Sequence, residues 1–557
     1  MWSDLSSTQQ AALENDSDVL DFLRGDRSNE STGSGDFRER GSVLADIINS
    51  RPTFVPGGSG VPDVVYVGAN GGMLHGFNAA TGAEEFGYVP DAVYGKLADL
   101  KDQDYSHEYY VDGSVTFASN YYRETGNRII VGGLGRGGQA IYALDVTNPD
   151  AFDPGDDVLW EFGDTSDADG DGTVDGDPDL GLTYAEASVV PLENGNWVAI
   201  FGNGYNNTRS DGSVSATGHA VLFIVDLETG ESIRKIDTNT GGAGDPNGLA
   251  TPAVVDLDQD GDADFAYAGD LDGNMWKFDL TGTNPNNFSA EKFPTAAGPG
   301  GGVQPITTRP EVGLHPVGLP GPVVCFGTGK YLTDADNSRT GQATQTFYAV
   351  WDQGAEGNGK EFVQSDLLEQ EILKEETVSR TDPADPNETI ENRLRTTTDN
   401  QITCQDSGSG SGKGGWYIDF TRPTSTDNRG EPLVTNPRLR GDRVVFTTLI
   451  PSESPCDFGG ESWRMELSIA GGRRLEEPAF DLNEDQVFDS SDMRAAGDSP
   501  SGIQPISESR GILSEPTFLD SGDVEVKVMA TTSGNTASVK NNPGSGDRGR
   551  QSREELR

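Results

Sequence analysis

One repeating pattern limits what this chain can fold into. A β-branched or aromatic run meets a glycine-bearing turn, a second such run follows, and a polar turn closes the unit. The pattern stands in "DVVYVGANGGMLHGFNAATG" from Asp63, in "NRIIVGGLGRGGQAIYALDVT" from Asn127, and in "NWVAIFGNGYNN" from Asn196 with "HAVLFIVDLETGESIRKI" after an insertion. It returns in "DFAYAGDLDGNMWKFDLTG" from Asp264, in "PVVCFGTGKYL" leading to "QTFYAVWDQG", in "RVVFTTLIPSESPCDFGGESWRMELSIAGG" from Arg443 and, more weakly, in "DVEVKVMATTSGNTASVK". Each unit reads as a β-hairpin. A lone hairpin is marginal in water, so about seven of them must pack on one another. Radial closure into a β-propeller protects the sheet edges and suits units at intervals of several tens of residues. A string of β-sandwiches is the alternative. Either way the chain is expected to be all-β.

Around the repeats, residues 1–55 read as a short helical segment. "SDLSSTQQAALE" and "SDVLDFLRG" open on capping residues, the second ends at Gly25, and "RGSVLADIINS" is a third helical piece before Pro52. Residues 56–540 form the expected propeller, with insertions at about 153–195, 283–320 and 353–412. The second insertion is Gly/Pro-rich and reads as loop. The third holds a predicted helix, "SDLLEQEILKEE", and ends in the flexible "SGSGSGKGG". Residues 541–557 are a polar tail. Two turns, "NAATGAEEF" and "VDLETGESI", resemble those of quinoprotein-type propeller blades, without the tryptophan that usually follows.

The formal net charge is −51, from 40 Lys and Arg against 91 Asp and Glu. Nucleic acid and anionic membrane surfaces both require basic faces, so neither is an expected partner. No apolar run approaches the roughly 18 residues of a membrane span. The opening "MWSDLSSTQQAALENDSD" lacks the basic-then-apolar order of a signal peptide. The sequence therefore reads as a cytosolic protein or as the downstream part of a longer secreted chain. The acid excess fits solubility or a salty environment, but neither accounts for regular spacing.

Such spacing occurs in "DLDQDGDAD", where five aspartates alternate. Calcium takes six to eight oxygen ligands, and alternate loop positions can face one ion. Asp256, Asp258 and Asp260 fit positions 1, 3 and 5, Gly261 the sharp turn at 6, Asp262 a carbonyl at 7 and Asp264 position 9. Position 12 is Tyr267, so this is a shortened EF-like loop before a strand. "DLNEDQVFDSSD" repeats the spacing with Asp481, Asn483, Asp485, a Val487 carbonyl, Asp489 and Asp492, although Gln486 replaces the turn glycine. "DADGDGTVD" offers Asp167, Asp169, Asp171, Thr173 and Asp175, in an Asp/Gly-dense stretch where chance matches are easier. Each loop could instead be a solvated acidic turn.

Other signals are weaker. Arg24-Gly25-Asp26 could bind integrins, but Gly25 sits where a helix cap needs glycine. "GLGRGG" has strands on both sides and reads as a blade turn, not a phosphate cradle. His75, His107, His219 and His315 are scattered, and Trp276 and Trp463 lie in strand-like runs and read as core. Cys325 reads as a buried free thiol, while Cys404 and Cys456 flank adjacent strands and could form a disulfide. A dehydrogenase of quinoprotein type remains an alternative on the same fold, weakened by the missing tryptophans and by the lack of an identifiable base.

Several long motifs carry a family resemblance: "VVYVGANGGMLHGFNAATG", "LRGDRSNE", "GWYIDF", "VTNP", "RVVFTTLIPSESPCDFGGESWRMEL" and "DRGRQS". Together they resemble the C-terminal propeller region of the PilC/PilY family of type IV pilus tip-associated adhesin and biogenesis proteins. The resemblance implies a modified seven-bladed, quinoprotein-like propeller that binds calcium and is not an enzyme. It implies secretion to the periplasm and cell surface of a Gram-negative bacterium, with pilins or minor pilins as partners and contact with host or abiotic surfaces. It also implies roles in pilus assembly, in extension against retraction, in twitching motility and in adhesion. Calcium in an EF-like loop would switch that balance, here at Asp256–Asp264 and Asp481–Asp492. Family members carry a signal peptide and a large N-terminal region, so this sequence reads as a C-terminal part or a shortened product.

Overall fold

Six of the seven sequence units become the central hairpin of their own sheet, and the seventh supplies the last two strands of a three-stranded one. The structure, a computed structural model, describes the chain apart from residues 1, 32–35, 164–175, 206–214, 216, 300, 317, 339–340, 354–362, 382–386, 388, 404–411, 422–429, 453, 455–458, 484, 486, 494–498, 506–510, 521–524, 533–535 and 542–557. Four sheets are antiparallel meanders. The first comprises Thr53–Val55, Val64–Ala69, Met73–Asn78 and Glu84–Tyr88, and the second Val115–Phe117, Ile129–Gly133, Ala140–Asp145 and Val158–Gly163. The third comprises Ser188–Pro191, Trp197–Gly202, His219–Asp226 and Ser232–Gly241, and the fourth Ala253–Val255, Phe265–Gly269, Asn274–Asp279 and Ser289–Thr295.

The remaining sheets vary this plan. The fifth runs Glu311–Leu314, Pro322–Gly327, Thr346–Trp351 and Gly415–Asp419, with Leu368–Gln370 added in parallel at its edge. The sixth holds Arg438–Arg440, Arg443–Pro451, Gly460–Ser468 and Gly502–Pro505, and is extended by the hairpin Ile372–Thr381/Thr389–Thr397. That hairpin is inserted between two strands of the fifth sheet yet pairs with the sixth, so it stitches the two together. The seventh holds Thr517–Asp520, Glu525–Ala530 and Thr536–Asn541. The short first strands lie side by side: that of the first sheet touches that of the second, the second the third, the fourth the fifth and the fifth the sixth. Sheets arranged radially about their first strands make a β-propeller.

Glycine sets how closely consecutive sheets approach. The second strands of the first five sheets end at or beside Gly68, Gly133, Gly202, Gly269 and Gly327. A Cβ at these positions would stand 2.4 Å from the Val111 carbonyl, 2.7 Å from that of Thr183, 2.4 Å from that of Ala250, 2.2 Å from Ile306 Cγ2 and 2.6 Å from Leu433 Cβ. Each obstructing residue belongs to the lead-in of the next sheet. Polar side chains just past the glycine secure the junction: Asn70 Oδ1 accepts the Tyr110 N–H at 3.0 Å, and Asn203 Oδ1 accepts that of Leu249 at 3.0 Å. The turn at Gly230 receives its aromatic cover from the neighbouring sheet, where the Trp160 indole donates to the Leu227 carbonyl at 2.9 Å.

The seventh sheet is held differently. Among the described residues its own buried cluster is Leu513 and Met529. It docks on the sixth through the fully buried Lys527–Glu466 pair at 2.6 Å and through Arg440–Glu525, and towards the first through Arg51–Glu515 at 2.8 Å.

Several local expectations are corrected. Helices α1 (Ser7–Ala12, capped by Ser6) and α2 (Ser17–Leu23, capped by Asp16) form, and Gly25 follows α2 at φ +105°. Asp26 is tied into that turn, its carboxylate accepting the Ser28 N–H at 2.6 Å. "RGSVLADIINS" is not helical, because tertiary bonds outbid its weak propensity: the Asp46 carboxylate accepts Asn70 Nδ2 at 2.9 Å, and Asp112 accepts the Asn49 N–H at 3.1 Å. "SDLLEQEILKEE" is also not a helix. It supplies Leu368–Gln370 and the start of Ile372–Thr381, where Glu375 meets the buried Arg395 at 2.7 Å. The stretches read as insertions contain strands too, among them Val158–Gly163, Ser289–Thr295 and Glu311–Leu314.

Gly202→Ala would push a methyl group against two carbonyl oxygens, 2.4 and 2.5 Å away. It is expected to cost about 1–3 kcal/mol, as overpacking does, read as a lower denaturation midpoint at unchanged slope. A midpoint equal to the parent's would show that the junction has slack.

Candidate metal centre

The loop between Ala253–Val255 and Phe265–Gly269 is built by its own aspartates. Asp256 is 2 % exposed, at the end of a buried strand, and folds the loop around its carboxylate. Its Oδ1 accepts the Gln259 N–H at 2.5 Å and its Oδ2 that of Gly261 at 2.9 Å. The chain can turn back this sharply because Gln259 and Gly261 take φ of +68° and +105°. Asp258 and Asp260 each accept the N–H two residues on, both at 3.2 Å. Asp264 closes the loop by accepting the N–H of Leu257 at 2.5 Å and of Asp258 at 3.2 Å.

The result is a convergence of anionic oxygens. Asp256, Asp258 and Asp260 each place one carboxylate oxygen within 4.8 Å of the others, the one such group of acidic, His or Cys side chains among the described residues. Calcium–oxygen bonds of about 2.3–2.6 Å let ligands on opposite sides of one ion stand about 5 Å apart, so these three oxygens fit a single calcium-sized cation. The electrostatics agree. Burial, helped by the charges of Asp260, Asp264 and Glu193, pushes Asp262 up to about 6, and burial also raises Asp264. A divalent cation would turn this repulsion into attraction.

The loop also touches the preceding sheet. The Ala263 N–H donates to the Pro191 carbonyl at 3.0 Å, and Glu193 accepts the Gly282 N–H at 2.5 Å. Glu193 escaped the sequence reading because "PLENGNW" has no acidic spacing; only the fold brings it near Asp262.

The second loop, between Gly460–Ser468 and Gly502–Pro505, is organised by Asp492, which is fully buried. Its carboxylate accepts the Leu482 N–H at 2.7 Å and the Asp489 N–H at 3.1 Å, so position 12 here does what Asp264 does at position 9. Asp481 is buried, and Asn483 spends its amide on Asp485 at 2.8 Å. Asp485 in turn accepts the Val487 N–H at 2.8 Å, and Asp489 that of Ser491 at 2.7 Å. These residues share a loop but are not gathered into a cation-sized group. Gln486, and Asp167, Asp169, Asp171, Thr173 and Asp175, lie outside the described residues.

The histidines stay apart: His75 meets Glu84 at 2.6 Å, His107 meets Asp46 at 2.9 Å, His219 meets Asp237 at 3.0 Å, and His315 packs against Trp351. Cys325 is a buried free thiol whose pKa burial raises, whereas Cys404 and Cys456 lie outside the described residues.

A family model described as the PilY1 beta-propeller domain matches residues 44–382. The chain belongs to the PilY1 β-propeller family. The type IV pilus biogenesis factor PilY1 of Pseudomonas aeruginosa strain PAK is 32 % identical over 621 residues, which cover 99 % of this chain and 49 % of that protein. A PilY1 homolog of Xylella fastidiosa strain Temecula1 is 33 % identical over 91 % of this chain and 35 % of its own length. The crystal structure of the Pseudomonas aeruginosa PilY1 C-terminal domain superposes with a TM-score of 0.67 at 29 % identity, covering 87 % of this chain and 93 % of that one. This chain thus spans about half or less of the curated PilY1 proteins it matches, but nearly all of the solved PilY1 C-terminal domain. No helix among the described residues is long and apolar enough to cross a membrane.

Asp262→Asn separates repulsion from ligation, because position 7 offers a backbone carbonyl. It is expected to raise the melting temperature of chelator-stripped protein. Since burial and like charges raise Asp262, its unfavourable contribution grows as pH rises from about 4 through about 6. The gain from the substitution should therefore be larger at pH 7 than at pH 4.5.

Proposed function

We propose that this chain is a calcium-braced, non-enzymatic propeller module of a type IV pilus biogenesis factor, acting at the pilus or cell surface. The observation that carries the calcium reading is the convergence of Asp256, Asp258 and Asp260 on a loop bonded to the neighbouring sheet. The pilus reading rests on the relatives, named as type IV pilus biogenesis factors. Calcium would stiffen the third–fourth sheet junction, so occupancy changes how rigidly the propeller is presented to its partners. Those partners would be pilins or minor pilins, and the surfaces a pilus meets. Pilus extension against retraction, twitching and adhesion follow as the processes such a brace would tune. Asp481–Asp492 is proposed as a second, weaker site that gathers its ligands on binding. Asp167–Asp175 is proposed as a third.

Calcium at a hundredfold excess over Kd should stabilise the folded state by about 2.7 kcal/mol per site, seen as a raised melting temperature. Calorimetric titration of stripped protein should lose one binding step in Asp264→Ala and a second in Asp489→Ala. A flat titration, or heats indifferent to both substitutions, overturns the calcium reading. Cells carrying Asp264→Ala in place of the parent gene should spread less by twitching; unchanged spreading would cut the link between this loop and pilus function.

A further inference from the structure

The axis of the propeller holds a cavity of about 380 Å³ whose lining includes none of Asp256–Asp264. Its wall is made by the lead-ins and first strands of six sheets, from Arg51 before the first to Arg438 in the sixth. Two features set it apart. Three arginines, Arg51, Arg309 and Arg438, line it with a single acid, Glu186, although acids outnumber bases 91 to 40 in the chain. The rest of the polar wall is largely hydroxyl: Thr53, Ser114, Thr116, Ser119, Ser188 and Thr251.

The arginines are held ready. Glu515 anchors two of them from behind, taking Arg51 Nη1 at 2.8 Å and Arg438 Nε at 2.5 Å, while Asn436 Nδ2 reaches it at 3.2 Å. Asn436 Oδ1 accepts the Arg309 N–H at 3.0 Å, which fixes the third arginine's backbone to the same frame. Arg51 gives its other terminal nitrogen to Glu186 and stays 48 % exposed, leaving N–H groups for a further acceptor. Ser114 and Thr251 accept backbone N–H groups of Arg51 and Glu186, both at 3.1 Å, so each keeps its own hydroxyl hydrogen to donate.

We propose that this axial cavity binds a small polyhydroxylated acid, a sugar carboxylate of the uronic acid class. Its volume lies at the low end of ligand pockets, about 300–1,000 Å³, which suits one sugar ring. Hydroxyl groups both donate and accept, matching the ring hydroxyls, and arginine forks match a carboxylate. A nucleotide base would want stacking aromatics, and Phe117 is the one aromatic residue in the wall. The ligand can arrive free or as the end residue of an acidic polysaccharide; the recognition chemistry is the same.

The test is calorimetry of the full chain with glucuronate, with a glucuronic acid tetramer, with glucose and with inorganic phosphate. It is run in chelator and again in saturating calcium, so that failure of the calcium reading leaves it intact. Glucuronate should bind at least tenfold tighter than glucose or phosphate. Affinity should fall about tenfold in Arg51→Lys, which keeps charge but loses the fork, and severalfold in the near-isosteric Thr116→Val, whose melting temperature should match the parent. Tighter binding of the tetramer than of the monomer identifies a polysaccharide end as the source, and equal binding the free acid. No saturable heat from either acid, binding no tighter than glucose or phosphate, or binding unchanged in both variants overturns the proposal. Should Arg51→Lys fail to fold, Thr116→Val decides alone.

Discussion

The approach of one sheet's backbone to the lead-in of the next governs this molecule. At Gly202 the neighbouring carbonyls sit where a side chain would begin; carbonyls do the same at Gly68 and Gly133, and the side chains of Ile306 and Leu433 fill that space at Gly269 and Gly327. So close an approach at the glycines leaves little freedom in the angle between sheets. That fixed angle, repeated, curls a chain of hairpins into a ring. The buried clusters that span neighbouring sheets then supply cohesion, but glycine sets the geometry in which they can form. The loop at Asp256 and the axial cavity inherit their positions from it, since both hang on first strands that these junctions place.

How much of this the sequence shows depends on element length and on where partners lie. The central hairpins were legible because both strands are long, β-branched and almost wholly buried, as in Trp197–Gly202 with His219–Asp226. The first strands were not: Thr53–Val55 and Ala253–Val255 have three residues each, too few for any period to show. "SDLLEQEILKEE" misleads because most of its residues favour a helix, whereas its strand pairing depends on Arg395, about 20 residues further on. The Asp256 loop was legible because its carboxylates and the backbone they bind are local. Glu193 was not, because a separate sheet delivers it. In Asp481–Asp492 the spacing is present, yet Asn483, Asp485 and Asp489 are engaged within the loop, and spacing alone cannot report such side-chain engagements.

The charge distribution divides labour along the same lines. Among the described residues most of the acids are at least partly exposed, where water and salt screen them. Buried acids are paired with bases, as at Glu466 with Lys527 and Glu431 with Arg395, or held by neutral donors, as at Asp270 by Asn247, Asn274 and Trp276, whereas Asp256 is bunched with the exposed Asp258 and Asp260. The first two arrangements are complete in themselves. The bunched carboxylates would be completed by a cation, which is the physical content of the calcium proposal.

At the seventh sheet the ring is closed by side chains instead of backbone. Among the described residues no strand from the start of the chain joins this sheet, so no backbone ladder spans the place where the last sheet meets the first. Among the described residues, ion pairs tie this sheet to its neighbours and its buried apolar cluster holds Leu513 and Met529. The propeller therefore has a seam. The ring can part there without unzipping a single sheet, and assembly can leave that closure until last, after the larger cores have formed. A pull between the first and seventh sheets would load side-chain ion pairs and not a backbone ladder, so the ring has a built-in place to yield.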